Sequence, residues 1–109
     1  MTESDIMDEV RLVLGAHPDA CFFRNNVGMA DFKGGRAVRF GVGGPGGSDL
    51  IGIFRGRAVF VEIKSATGRQ SIEQQTFARL AERKGAIYRI VRSADEARAL
   101  LADLEERFK

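Results

Sequence analysis

Two apolar runs, "SDLIGIF" (48–54) and "AVFVEIK" (58–64), flank the tripeptide "RGR". No other feature of the chain constrains its fold as tightly. Each run has the length of a strand and falls short of an ordinary helix. A glycine-centred link this short makes the second run double back on the first as a tight β-hairpin. Side chains alternate along a strand, with ~6–7 Å between successive positions on one face. Val59, Val61 and Ile63 therefore point to one side, into a core, and Phe60, Glu62 and Lys64 to the other. The hairpin brings Asp49, near the start of the first strand, beside Glu62.

Two carboxylates side by side repel each other, and partial burial makes the repulsion worse. A positive group belongs there, either Lys64 or a divalent cation. The plainer alternative is a solvated strand edge, where Glu62 and Lys64 form an exposed ion pair worth ~0–1 kcal/mol. Asp49 weighs against it. It follows the flexible "GGPGG" and lies one hairpin away from Glu62. Two hard carboxylates with a strand carbonyl and waters suit Mg²⁺ or Mn²⁺. A lysine two residues after a ligand suits the negative charge that builds on a phosphate.

The rest of the chain surrounds this hairpin with alternating elements. Ile6, Val10, Val13 and Leu14 repeat at helical spacing over 3–14, after a cap at Thr2 or Ser4. "ACFFRNN" (20–26) reads as a short strand ending in a turn. Residues 28–47 are glycine-rich, with "RAVRFGV" inside as a strand or hairpin arm. Ser71 and Gln74 form a capping box, which opens a helix with Ile72, Phe77, Leu80 and Ala81 on its apolar face. Gly85 ends that helix. "AIYRIV" (86–91) is a buried strand. Ser93 and Glu96 form a second capping box, and Ala97, Leu100, Leu101, Leu104 and Phe108 line the last helix. The expected order is αβββαβα about the central hairpin, with a parallel strand pair near the C-terminus and helices on both faces of a mixed sheet.

The chain of 109 residues fits one domain with one modest core. No apolar run approaches the ~20 residues that span a bilayer, and "MTESDIMDEV" is acidic and lacks the apolar segment of a signal peptide. No membrane partner is expected. The single cysteine, Cys21, excludes an internal disulfide and fits a reducing cytoplasm. Cys21 is expected in the core, and His17, in "HPD", at the surface before a turn. Thirteen of the 17 basic residues are arginine, although the net charge is only +2. Arginine suits bidentate contact with phosphate. A GC-rich genome also favours arginine codons, so the charge alone decides nothing.

"SD…EIK" resembles the motif of the PD-(D/E)XK nuclease superfamily. The wider pattern is similar to one branch of it, the virus-type replication-repair nucleases, or VRR-NUC domains. It is carried by "FRNNVG" (23–28), "FGVGGPGGSDLIGI" (40–53), "VEIKSATGRQSIEQQTF" (61–77) and "RKGAIYRIVRS" (83–93), with Ser48 in the proline place. The resemblance implies a restriction-endonuclease-like α/β fold. It also implies a metal-dependent endonuclease acting on DNA, with Asp49, Glu62 and the Ile63 carbonyl as metal ligands and Lys64 as the catalytic lysine. Gln74 matches a glutamine that family members place at the site, although it is also the residue that closes a capping box. Glu9 matches an acid that often joins the metal shell, although it also suits a solvated helix face. Family members that stand alone resemble junction-resolving enzymes. Four-way (Holliday) junctions are symmetric, so paired sites and a homodimer are expected, with "AVRF" or the last helix as interface. The stand-alone form suggests a phage or prophage origin.

Candidate nucleic-acid contacts are Arg24, Asn25, Asn26, Arg39 and Arg69. Lys33, Arg36, Arg55 and Arg57 also flank the site in sequence, and Gly28 is a place for close backbone approach. Gly43–Gly47 lacks the G-K-[ST] of a P-loop and reads as either a backbone-approach site or a mobile loop. Such contacts give affinity and salt dependence without base specificity, so recognition by DNA shape is expected.

Overall fold

A computed structural model describes residues 1–109 apart from the Phe32 side chain. The chain runs α1 (Glu3–Gly15), β1 (Ala20–Arg24), β2 (Gly28–Phe32), β3 (Arg36–Phe40), a 3-10 turn (Gly44–Gly46), β4 (Leu50–Phe54), β5 (Arg57–Ile63), α2 (Ile72–Arg83), β6 (Ile87–Val91) and α3 (Ala94–Arg107). Four strands form one sheet in the order β1-β4-β5-β6. The first three are antiparallel, and β6 runs parallel to β5 across the α2 crossover. This is the expected mixed sheet.

The central hairpin turns on two residues, Arg55 (φ 48°) and Gly56 (φ 81°). Positive φ at both positions suits the right-handed twist of the flanking strands. Arg57 is therefore the first residue of β5 rather than part of the turn. Val59, Val61 and Ile63 are buried on the face that packs against α1 and α3. Ile6, Met7, Val10 and Leu14 from α1 meet Ala97, Leu100, Leu101 and Leu104 from α3 over that face. Full burial of a side chain such as Leu14, Leu100, Leu104 or Phe54 contributes ~1.5–3 kcal/mol each. The opposite face carries Phe60, whose ring meets Phe77 of α2 edge-on at 5.1 Å.

The caps are largely as the sequence implies. Thr2 and Asp5 cap α1 reciprocally, and Ser71 and Gln74 do the same for α2. Gly85 follows the last turn of α2 with φ 91°. At α3 the box is altered: the Ser93 hydroxyl accepts from Glu96 N–H, but the Glu96 carboxylate accepts from Arg92 N–H, one residue before the cap.

Several expectations are corrected. There is one more strand than the order αβββαβα allows for between the first strand and the hairpin. β2 pairs with β3 in a separate two-stranded sheet, closed by Lys33–Gly35 with both glycines at positive φ. "GMADF" lacks an apolar alternation, so pairing with β3 defines it. On α2, Ile72 and Leu80 are exposed while Ala78 and Ala81 are buried, because small residues let the helix lie close. Cys21 is exposed: β1 is an edge strand, and Cys21 points away from the core, opposite exposed Ile53. His17 is not a free surface residue. Its ring packs against Phe54, Nε2 meets Glu105 Oε1 at 2.6 Å, and Nδ1 accepts from Asp19 N–H. The apolar face of α3 packs into the core.

Candidate active site

Asp49 lies just before β4, one step beyond the pair Leu50↔Val61, and so opposite Glu62 near the end of β5. Its backbone is pinned from the other side, where its carbonyl accepts from Asn25 N–H at 2.8 Å. Its side chain reaches across the hairpin, and Oδ2 accepts from Ile63 N–H at 2.7 Å. Ser48, fully buried, holds the approach to the strand by donating its hydroxyl to Leu50 O at 2.9 Å.

Glu62 is 3% exposed, and its Oε2 accepts no hydrogen bond from the protein. Burial pushes its pKa from 4.5 to about 9. The adjoining Asp49 carboxylate adds to the rise, Lys64 opposes it, and Glu3 adds a little more. Tyr88 is raised to about 12, chiefly by burial, against a hydrogen bond from Gln70 and with a contribution from both acids. Glu62 thus prefers a proton unless a cation supplies the positive charge that Lys64 alone does not.

A cavity of about 630 Å³ opens over these acids. Of the residues singled out in the sequence, Asp49, Glu62, Gln74, Arg24, Asn25 and Asn26 line it. Gln74 does so while its Oε1 accepts from Ser71 N–H at 3.0 Å, so capping and lining coexist. Lys64 is half-buried and is not among the residues that line the cavity, although its charge acts on Glu62. Ile63, the residue after Glu62, donates its N–H to Asp49 and buries its side chain in the core. Arg39 is exposed on β3 and Arg69 is exposed after β5; neither lines the cavity.

The structure does not bring Glu9 into the site. It is exposed on α1, and among the described residues no three acids, histidines or cysteines group to hold a metal. The α1 acid whose field reaches Glu62 is Glu3, in the first turn. Arg55 and Arg57 are neighbours of the site in sequence only. Arg55 is in the turn and Arg57 opens β5, at the far end of the hairpin. Arg55 pairs with Asp19 and donates to Phe108 O, and Arg57 lies over the Phe108 ring.

Two further residues position the site. The Asn25 amide donates to Val42 O at 2.8 Å and Ser48 O at 2.9 Å, and accepts from Val42 N–H at 3.0 Å. Both donors are committed to closing the glycine loop, which leaves exposed Asn26 as the free amide of the pair. The loop is packed rather than open: a Cβ at Gly46 would lie 2.0 Å from Glu73 O, and one at Gly47 would lie 2.0 Å from Val42 O. Arg92 donates through Nη1 to Ser65 O at 2.6 Å and Gly68 O at 2.7 Å, tying down the turn after Lys64. The parallel register Ile63↔Val91 places it there.

The residues fit a hard divalent cation. Two carboxylates converge, one carries an unpartnered buried oxygen, and the pair is electrostatically unbalanced by its own neighbours. Among comparisons with known proteins, no family model and no curated protein matches the chain. A solved structure described as a VRR_NUC domain shares its fold, with a TM-score of 0.64 over 92% of this chain and 94% of that one at 20% identity. The restriction-endonuclease-like α/β architecture that "SD…EIK" led us to expect is borne out.

Proposed function

We propose that the chain is a single-domain nuclease that uses Mg²⁺ or Mn²⁺ to hydrolyse phosphodiester bonds in branched DNA such as four-way junctions, working as a homodimer. The observation that carries this reading is Asp49 facing a buried, unbalanced Glu62 at the floor of a cavity bordered by Arg24 and Asn26. Asp49 and Glu62 would hold the cation, with the carbonyl of Ile63, the residue after Glu62, completing the protein's share. The chemistry that a divalent cation would supply there is polarisation of a phosphate oxygen and a lowered pKa for a water. Lys64 stabilises the negative charge that develops on the phosphate. Arg24 and Asn26 orient the sugar–phosphate backbone, and Gln74 borders the same space. Arg39 and Arg69 extend the basic track outside the cavity. Contacts of this kind read shape and charge, not base sequence.

The test is cleavage of labelled four-way junction, flap, splayed and linear duplex DNA, with Mg²⁺, with Mn²⁺ and with chelator. Metal-dependent cutting of junctions at paired symmetric positions is expected. Asp49→Ala, Glu62→Ala and Lys64→Ala should each lower it about 100-fold or more while the protein stays folded. Cleavage retained in any of these removes that residue from the mechanism. Preference for a flap keeps the chemistry and changes the substrate. One short sequence cut far above all others makes it a restriction-type enzyme. Metal-independent, salt-sensitive binding with no cutting makes it a non-catalytic module. A monomeric mass at micromolar concentration removes the homodimer.

A further inference from the structure

The β2–β3 hairpin stands apart from the four-stranded sheet and pairs only with itself. A two-stranded hairpin is marginal in water. This one leaves Met29, Val38 and Phe40 exposed. The register pairs Phe40 with Gly28 and Val38 with Ala30, so the small residues on β2 offer the large ones little cover. The Phe40 ring lies across Gly28, where a Cβ would come within 2.9 Å of its Cζ. Gly28 therefore lets the ring settle on the strand while 46% of Phe40 remains exposed. The exposed ring borders the same cavity as Asp49 and Glu62. The hairpin carries Lys33, Arg36 and Arg39 against a single acid, Asp31, with Arg39 on the face opposite Phe40, and Arg24 lines the cavity with the ring.

An exposed aromatic ring on a basic hairpin, sharing a cavity with Arg24 and the two acids, is the composition of a platform for single-stranded nucleic acid. We propose that Phe40 stacks on one unpaired nucleotide adjoining the phosphate held at Asp49 and Glu62. The hairpin thereby favours DNA in which a base has left the duplex stack. The occupant is nucleic acid rather than a second copy of the chain, because the basic hairpin repels its own duplicate and attracts a polyanion. The location relative to the phosphate rests on the nuclease reading; the stacking itself does not.

The experiment measures binding in chelator, so that it is independent of cleavage. The probes are splayed DNA with 2-aminopurine at successive unpaired positions, and fully paired duplex of the same length. Wild type should change the fluorescence at one position. Phe40→Leu should abolish that change and weaken splayed-DNA binding by roughly 5- to 150-fold, the range of one base–aromatic stack, with little effect on duplex. Phe40→Trp should restore both. Phe23→Ala, an exposed aromatic on β1 outside the cavity, should leave both unchanged. Unaltered fluorescence and affinity in Phe40→Leu overturn the proposal, and so does an equal loss on both DNAs. A Phe40→Leu protein that falls from dimer to monomer makes the second copy the occupant and also overturns it. Stacking without cleavage of any metal-supplemented substrate leaves the platform standing and removes the nuclease reading.

Discussion

Asp49 and Glu62 face each other across the β4–β5 ladder with unequal support. Asp49 accepts the Ile63 N–H at 2.7 Å, while Glu62 is buried with one oxygen that accepts nothing from the protein. Asp49 has a backbone donor, and Glu62 keeps a proton up to about pH 9 because burial penalises its charge. That asymmetry suits a pair that closes on a cation.

It also sets a pH dependence in chelator. Below pH 4.5 Glu62 is protonated in the folded and unfolded chains alike, and there is no penalty. Between 4.5 and about 9 the folded chain keeps a proton that the unfolded chain has released, so stability falls as pH rises. Above about 9 the penalty is complete. Glu62→Gln removes it, so the variant should melt above wild type at pH 8 and level with it at pH 4, at about 4–8 °C per kcal/mol recovered. Adding Mg²⁺ or Mn²⁺ should raise the wild-type melting temperature at pH 8 and leave Glu62→Gln nearly unmoved. Equal slopes against pH for the two proteins would falsify the burial account of Glu62.

Asn25 should matter through the loop it closes. Asn25→Ala strands Val42 N–H, Val42 O and Ser48 O, part of which water can reach. A loss of about 1–2 kcal/mol is expected in urea unfolding, with an unchanged slope. Asn25→Asp keeps the acceptor for Val42 N–H but sets an anion against two carbonyl oxygens and near both acids. It should lose more cleavage than its stability change accounts for. Full activity in Asn25→Asp would show that the loop needs no clamp.

Gly46 tests whether the glycine loop is packed or free. Gly46→Ala drives a methyl to 2.0 Å from Glu73 O and must lift the loop off α2. The cost should be about 1–3 kcal/mol, as for other overpacked positions. Gly15→Ala, with open space around its Cβ in α1, should be neutral or stabilising by up to about 1 kcal/mol. Equal melting temperatures for the two variants would make the loop mobile.

The parts of the molecule legible in the sequence are those governed by neighbours along the chain. The β4–β5 register follows from a two-residue turn, and with it the meeting of Asp49 and Glu62. Thr2, Ser71 and Gly85 announce helix ends by local chemistry. What the sequence hid depends on distant partners. β2 has no apolar period of its own and exists by pairing with β3. Asn25 looks like a polar surface residue until the loop 17 positions later folds onto it. Glu3 and Glu9 are both acids on one helix, and which of them addresses Glu62 depends on where that helix crosses the sheet, which no spacing encodes.

Arg92 offers the sharpest separation of roles. It follows β6, where the parallel register sets it beside the chain leaving β5, and its guanidinium grips Ser65 O and Gly68 O. Gly68 in turn lies against Lys64, with its would-be Cβ 3.4 Å from Lys64 Cδ. Arg92→Met should free the turn, let Lys64 wander and lower kcat about 10- to 100-fold, with KM for DNA and the salt dependence of binding unchanged. Arg92→Lys, a point charge able to reach one carbonyl at a time, should recover only part of the loss. If Arg92 instead contacts phosphate directly, Arg92→Met will raise KM and reduce the salt slope by about 1 while kcat holds. Single-turnover cleavage and salt-dependent binding, measured on the same protein, separate the two.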